Sequence, residues 1–258
     1  MLAPKSDPTA ERRVAFLHGL FGRGRNFAAI AGALAPEIQS VLVDLPNHSK
    51  SAWTASFDYV EMADIVASEL RAGFAAAGPI DIVGHSMGGK VAMVLALRHP
   101  DLVRRLVVVD IAPVTSDPEQ GNFDHLLSSL KSVDLSQVQR RSDANDALKE
   151  PIPQLGVRGF LMQNLKHGEH GFEWEANLNM LHAELRTIMA FPDLSGSQFG
   201  GPVLWIRGDK SDYVTDDAMP VMQSLFPNVQ LITIENSGHW VHSEQPEAFV
   251  AALRSFLL

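Results

Sequence analysis

The chain has no cysteine. Disulfides and thiolate chemistry are therefore excluded, and the usage suits a reducing compartment such as the cytoplasm. It also lacks an excess of basic residues. Lys and Arg number 21 against 30 Asp and Glu, the net charge is −9, and no basic run occurs. Such a chain is poorly suited to nucleic acid or to an anionic membrane surface. No apolar run approaches the length of a membrane span. Residues 1–13 carry prolines and charges where a secretory signal would carry an apolar stretch, so none is expected. Internal repeats and low-complexity segments are missing as well. What remains is 258 residues, 46% hydrophobic and 20% charged. That is ordinary for a globular protein and enough for one α/β domain with an insertion.

One stretch organises the rest: Ile80-Asp-Ile-Val-Gly84-His85-Ser86-Met87-Gly88-Gly89-Lys90. Ile80 to Val83 is a short apolar run suited to a buried parallel strand. Val91 to His99 reads as a helix stopped by Pro100. Between them Gly84-x-Ser86-x-Gly88 has the spacing of a nucleophile elbow, a strained strand-to-helix turn that lifts the serine Oγ clear of the sheet. Glycines two residues either side leave room for the turn, where a Cβ would collide with a neighbouring strand or helix. The free N–H groups of the helix then point at any anion formed on the serine.

Strand-like runs cover Arg13–Leu17, Ser40–Val43, Arg105–Asp110, Pro202–Ile206 and Val229–Ile234. Helical patterns cover Asn26–Leu34, Phe57–Phe74, Asp216–Phe226 and Gln245–Leu258. This alternation predicts a mostly parallel sheet with helices on both faces. From Val114 to about Gly200 the strand-like runs stop and helical segments follow one another, around Asn122–Val133, Leu135–Lys149, Gly156–Leu165 and Trp174–Ala190. We read residues 114–200 as an inserted helical cap, with residues 1–113 and 201–258 as the core. A cap over the strand ends would favour short acyl chains.

A serine nucleophile needs a base, and the base needs an orienting acid. His239, in the loop Asn236-Ser-Gly-His-Trp240 after the last strand, can swing over the sheet edge toward Ser86. There are 10 histidines, so position decides; His242, the nearest rival, reads as the start of the next helix. Two acids compete for the orienting role. Asp110 ends the strand after the elbow and Asp212 lies in the loop after the following strand, both at carboxyl ends where sites of open sheets gather. Asp209 reads as a loop stabiliser. Backbone N–H groups of Met87 and Leu20 are the expected oxyanion donors. His18 reads as a structural tie of its loop, Asp44 and His48 as loop residues, and Phe21 and Trp240 as substrate-contacting side chains. His167-Gly-Glu-His170 has metal-like spacing without a third ligand, so it reads as a solvated loop and no metal is expected.

On these residues the chain resembles the α/β-hydrolase superfamily along nearly its whole length. More narrowly it is similar to the YbfF-type small bacterial esterases and the related mitochondrial ABHD-type hydrolases. The matching stretches are His18-Gly-Leu-Phe-Gly22, Gly84-His-Ser-Met-Gly-Gly-Lys90, Val109-Asp-Ile-Ala-Pro113 and Gly238-His-Trp-Val-His242. The resemblance implies hydrolysis of esters, with short acyl thioesters in range, and no cofactor. It tilts the choice of acid to Asp110. Asp44-Leu-Pro-Asn-His-Ser-Lys-Ser51 departs from the glycine-rich form usual in the superfamily. The resulting expectation is an esterase in which Ser86 attacks, His239 shuttles the proton and Asp110 orients it. Its rivals are a C–C bond hydrolase or lyase on the same scaffold and a non-catalytic binding protein.

Overall fold

The structure, a computed structural model, describes residues 12–117 and 120–258. The lead-in read at residues 1–11 lies outside the described residues. In chain order the strands are β1 (Arg12–Leu17), β2 (Ile38–Val43), β3 (Ile80–His85), β4 (Val103–Val109), β5 (Leu165–Gly168), β6 (Gly171–Trp174), β7 (Val203–Gly208) and β8 (Val229–Ile234). The α-helices are α1 (Ala28–Leu34), α2 (Tyr59–Ala72), α3 (Met87–Arg98), α4 (Phe123–Ser132), α5 (Arg141–Ala147), α6 (Leu155–Leu161), α7 (Leu178–Ala183), α8 (Leu185–Met189), α9 (Met219–Leu225), α10 (Val241–Glu244) and α11 (Pro246–Leu257). None is long and apolar enough to cross a membrane.

Two compact units form. The first holds Tyr59–Val114, Phe191–Leu258 and the described residues up to Leu45. Its sheet runs β2-β1-β3-β4-β7-β8 with every pairing parallel. This is the α/β-hydrolase architecture, a parallel sheet flanked by helices. Valine- and isoleucine-rich strands suit it, because a sheet covered on both faces needs continuous apolar runs. On one face Phe16, Val83, Val107, Val109, Leu204 and Ile206 pack with Phe27, Leu34, Phe249 and Leu253 in a common core. The one charged residue inside β3, Asp81, is fully buried and takes a two-pronged bond from Arg104, 2.9 and 2.5 Å. A register shift at Ile80/Asp81 leaves Arg104 outside the regular pairing and lets it reach back.

Strand order places the site. The chain moves outward from β1 to β2, then returns to β3 and continues the other way. The carboxyl ends of β1 and β3 therefore flank the topological switch point, where open sheets bind ligands. The loop after β1 carries His18–Gly22 and the turn after β3 carries Ser86.

The second unit comprises Pro46–Asp58 and Thr115–Ala190. Residues 46–58 join it because of Asn47. Its carbonyl accepts from the Asn177 N–H at 2.9 Å, its Oδ1 accepts from Asn177 Nδ2 at 3.2 Å, and Trp53 Nε1 donates to Glu175 O at 3.3 Å. Asn47 and Ser49 hold φ values of 68° and 49°, the conformation a glycine-rich loop would adopt without strain. The expectation that strand-like runs stop in this stretch is corrected. β5 and β6 form an antiparallel hairpin around Glu169-His170. The expected helices at Leu135–Lys149 and Trp174–Ala190 are likewise broken, the latter into β6, α7 and α8. The hairpin is held by cross-strand partners, Lys166 with Glu173 at 3.2 Å and His167 edge-on to Phe172, which local periodicity does not show.

Candidate active site

The elbow forms as its spacing requires. Ser86 has φ 53° and ψ −123°, a conformation that costs an L-residue roughly 1–3 kcal/mol and persists only where the surroundings fix it. Those surroundings are backbone. A Cβ on Gly84 would run into the carbonyl of Gly88, and a Cβ on Gly88 into the carbonyls of Leu17 and His18. Ser86 N–H bonds Val109 O at 3.0 Å, which ties the turn to β4. Asp110 also has positive φ, 52°, as does Phe21, 62°. Three strained non-glycine residues thus gather at the carboxyl ends of β1, β3 and β4.

His239 Nε2 lies 2.9 Å from Ser86 Oγ, and His239 Nδ1 lies 2.8 Å from Asp110 Oδ2. A carboxylate accepts, so Nδ1 carries the hydrogen and Nε2 is free to receive the serine proton. Both ring nitrogens are then engaged. Asp212 is exposed and makes no bond to the imidazole, so only Asp110 of the two acids meets His239. Asp110 is fully buried and accepts two further bonds: Gly208 N–H donates to Oδ1 at 3.1 Å and Ser211 Oγ donates to Oδ2. The loop that follows Asp110 is tied down by Trp205 Nε1, which donates to Ile111 O at 2.8 Å.

The Leu20 and Met87 residues are buried, at 6% and 3% exposure. Among the described residues neither N–H donates to a protein acceptor. Leu20 follows β1 and Met87 opens α3 directly after Ser86, so both lie at the strand ends that flank the switch point. His18 holds the first of these loops: Leu45 N–H donates to its Nε2 at 3.0 Å, and its Nδ1 donates to Gly19 O at 2.8 Å. Phe21 is buried and Trp240 half-buried; the Trp240 ring meets His239 edge-on at 6.0 Å. His242 falls in α10, half-buried against Phe27 and Phe249, and touches neither Ser86 nor Asp110 through a hydrogen bond. Asp209 accepts from Ser237 N–H at 3.0 Å and so stabilises the histidine loop. Asp44 accepts from Gly24 N–H at 2.8 Å. His48 Nδ1 donates to Pro46 O at 3.0 Å within the second unit. His167 and His170 lie on the β5–β6 hairpin, and among the described residues no group of three or more His, Asp or Glu side chains is placed to hold a metal ion.

Two neighbours escaped sequence reasoning. Ser211 meets the buried carboxylate, and Tyr213 stacks on the His239 ring at 4.0 Å. The Tyr213 hydroxyl is buried without a partner, and burial together with Asp110 pushes its pKa up, so it stays protonated. Both flank Asp212 in the loop after β7. A search for carboxylates passes over a serine and a tyrosine there; their shared position at a strand end was the available signal.

Comparison with known proteins agrees with this architecture. The alpha/beta hydrolase family model matches residues 14–252. The mouse protein named sn-1-specific diacylglycerol lipase ABHD11 is 38% identical over 251 residues, 95% of this chain and 80% of that one. Esterase YbfF of Escherichia coli is 30% identical over 247 residues, 95% of this chain and 92% of that one. A solved structure described as a marine microorganism esterase superposes with a TM-score of 0.90 at 33% identity, covering 95% of both chains. The chain belongs to the alpha/beta hydrolase family and is a hydrolase.

Proposed function

We propose that the protein hydrolyses carboxylic esters through an acyl-enzyme on Ser86. The observation that carries this reading is the unbroken path from Asp110 through His239 to Ser86 Oγ, 2.8 and 2.9 Å, beside two unengaged N–H groups. Ser86 Oγ attacks the acyl carbon while His239 Nε2 takes its proton. The tetrahedral oxyanion is held by the N–H groups of Leu20 and Met87. Each such donor is worth about 2.7–4 kcal/mol in comparable sites. Imidazolium then protonates the departing alkoxide, water enters, and the same imidazole activates it to release the acid. Asp110 stabilises the imidazolium at each passage.

Thioesters of short acyl chains fall within the same chemistry, since the attacked group is again an acyl carbon. No cofactor enters these steps. The name of the mouse relative brings acylglycerols into consideration as ester substrates. A cytoplasmic location goes with the reading. The experiment is a panel of p-nitrophenyl and acyl-CoA esters of graded length, run on wild type and Ser86→Ala, with fluorophosphonate labelling alongside. Wild type should turn over esters and take the label at Ser86. The variant should lose the label and at least about 10³-fold in kcat. Undiminished turnover by Ser86→Ala would sink the mechanism. Within the panel we expect short acyl chains to lead; a steady rise in kcat/KM out to the long-chain esters would contradict that expectation.

A further inference from the structure

We infer that His85, the residue before the nucleophile, is a positioning residue that fixes the catalytic-histidine loop against the oxyanion loop through one neutral, fixed tautomer. The inference rests on the roles proposed for Ser86 and His239.

Several backbone groups of the histidine loop are tied down individually. Ser237 N–H goes to Asp209 at 3.0 Å. Gly238 N–H and Trp240 N–H go to the two oxygens of Glu244, at 2.8 and 3.3 Å. The carbonyl of His239 itself is taken by His85 Nε2 at 2.8 Å. A carbonyl can only accept, so His85 Nε2 carries the hydrogen. A neutral imidazole has one N–H, so Nδ1 is bare. This is the opposite tautomer from His239.

The bare edge faces the other loop. A Cβ placed on Gly19 would stand 3.0 Å from His85 Nδ1 and 3.1 Å from Ser86 Cβ. The His85 ring is therefore wedged between Gly19, next to the Leu20 donor, and the carbonyl of His239. Its own backbone leads directly into Ser86. All three parts of the machinery meet on one side chain. The His239 ring lies 4.8 Å away and the His242 ring 4.7 Å. Burial, then His242, His239 and His18, hold the His85 pKa well below its ordinary value. The ring stays uncharged while the enzyme works. It neither adds a positive charge beside the imidazolium of His239 nor trades protons with it. Its effect is geometric: reacting groups misplaced by about 1 Å lose about 10²-fold in rate.

Two measurements test this. The first needs no variant. Ring ¹⁵N chemical shifts of wild type at neutral pH should show His85 protonated on Nε2 and bare on Nδ1, with His239 the reverse. A His85 ring protonated on Nδ1 overturns the inference, because the bond to the His239 carbonyl then does not exist. The second compares His85→Gln, which keeps a terminal N–H donor, with His85→Met, which fills similar space without one. His85→Met should lose about 10- to 100-fold in kcat and in fluorophosphonate labelling rate, with KM little changed, the loss expected when reacting groups shift by up to about 1 Å. His85→Gln should recover most of it. Equal rates in the two variants, or a His85→Met enzyme within about threefold of wild type, overturn the inference. Failure of the underlying mechanism would look different: Ser86→Ala would remain active whatever the His85 variants do.

Discussion

Asp110 is the residue on which the proposed chemistry leans hardest. It is fully buried, receives hydrogen bonds from His239, Gly208 and Ser211, and sits on strained backbone. Asparagine there would present an amide donor toward Nδ1–H, forcing either an unpaired contact or the wrong imidazole tautomer. Loss of the acid in a serine-protease triad costs about 10⁴-fold in kcat. We expect Asp110→Asn to fall in that range on short p-nitrophenyl esters. Asp212→Asn should stay within about threefold of wild type, because an exposed carboxylate that does not touch the imidazole has little to contribute. Measuring kcat/KM for both variants decides it. A thousandfold loss in Asp212→Asn with Asp110→Asn near wild type would transfer the orienting role to Asp212.

At the scale of elements, the elbow is a junction of β1, β3 and α3 with no space to spare. Gly84 faces the Gly88 carbonyl and Ala92, and Gly88 faces the carbonyls that end β1. Backbone cannot move aside as a flexible side chain can. Gly88→Ala should therefore cost at least the 1–3 kcal/mol typical of overpacking, about 2–12 °C in Tm, and should lower activity by displacing Ser86 from Leu20. A Tm within about 1 °C of wild type would show that the junction is slack. This junction was legible in the sequence because its determinants are local: apolar run, two glycines, serine, helix. The long parallel strands were legible for the same reason, as valine-rich runs such as Arg105-Leu-Val-Val-Val109 have no other use. The β5–β6 hairpin was not, since it depends on Lys166 meeting Glu173 across the turn. The grouping of Asn47 with Asn177 spans 130 residues. In the site, Ser86 and His239 announce themselves by motif. The preference for Asp110 over Asp212 came from resemblance; what separates them physically is which carboxylate reaches Nδ1. Ser211 and Tyr213 acquire their places only by three-dimensional approach.

Across the whole molecule, buried histidines make stability depend on pH. His242 lies among Phe27, Phe249, His85 and His239, with Nδ1 unpartnered. Burial, and secondarily His239, lower its pKa from 6.5 to about 4. His85, beside it, is shifted in the same direction. The unfolded chain takes up a proton at His242 once the pH drops below about 6.5, while the folded chain refuses it until about 4. Stability is therefore complete above the upper value and declines as the pH falls toward the lower one. A shift from 6.5 to about 4 corresponds to a loss on the order of 3 kcal/mol at the acid end. Lys90 acts in a higher window, since burial lowers its pKa from 10.5 to about 7. Carboxylates such as Asp64 and Asp101, lowered by their arginine partners, act below 3.8. His242 and His85 therefore both act in the interval below pH 6.5. His242→Phe separates their shares. Phenylalanine matches the aromatic surroundings and removes a buried unpaired nitrogen, a defect worth about 1–3 kcal/mol. We expect wild-type Tm to fall by about 5–10 °C more than that of His242→Phe between pH 7.5 and 4.5. The residual slope in the variant then reports the remaining titrating groups, His85 among them. Parallel Tm–pH curves for the two proteins would show that His242 accepts its proton without unfolding the site, and the histidine account of acid lability would fail.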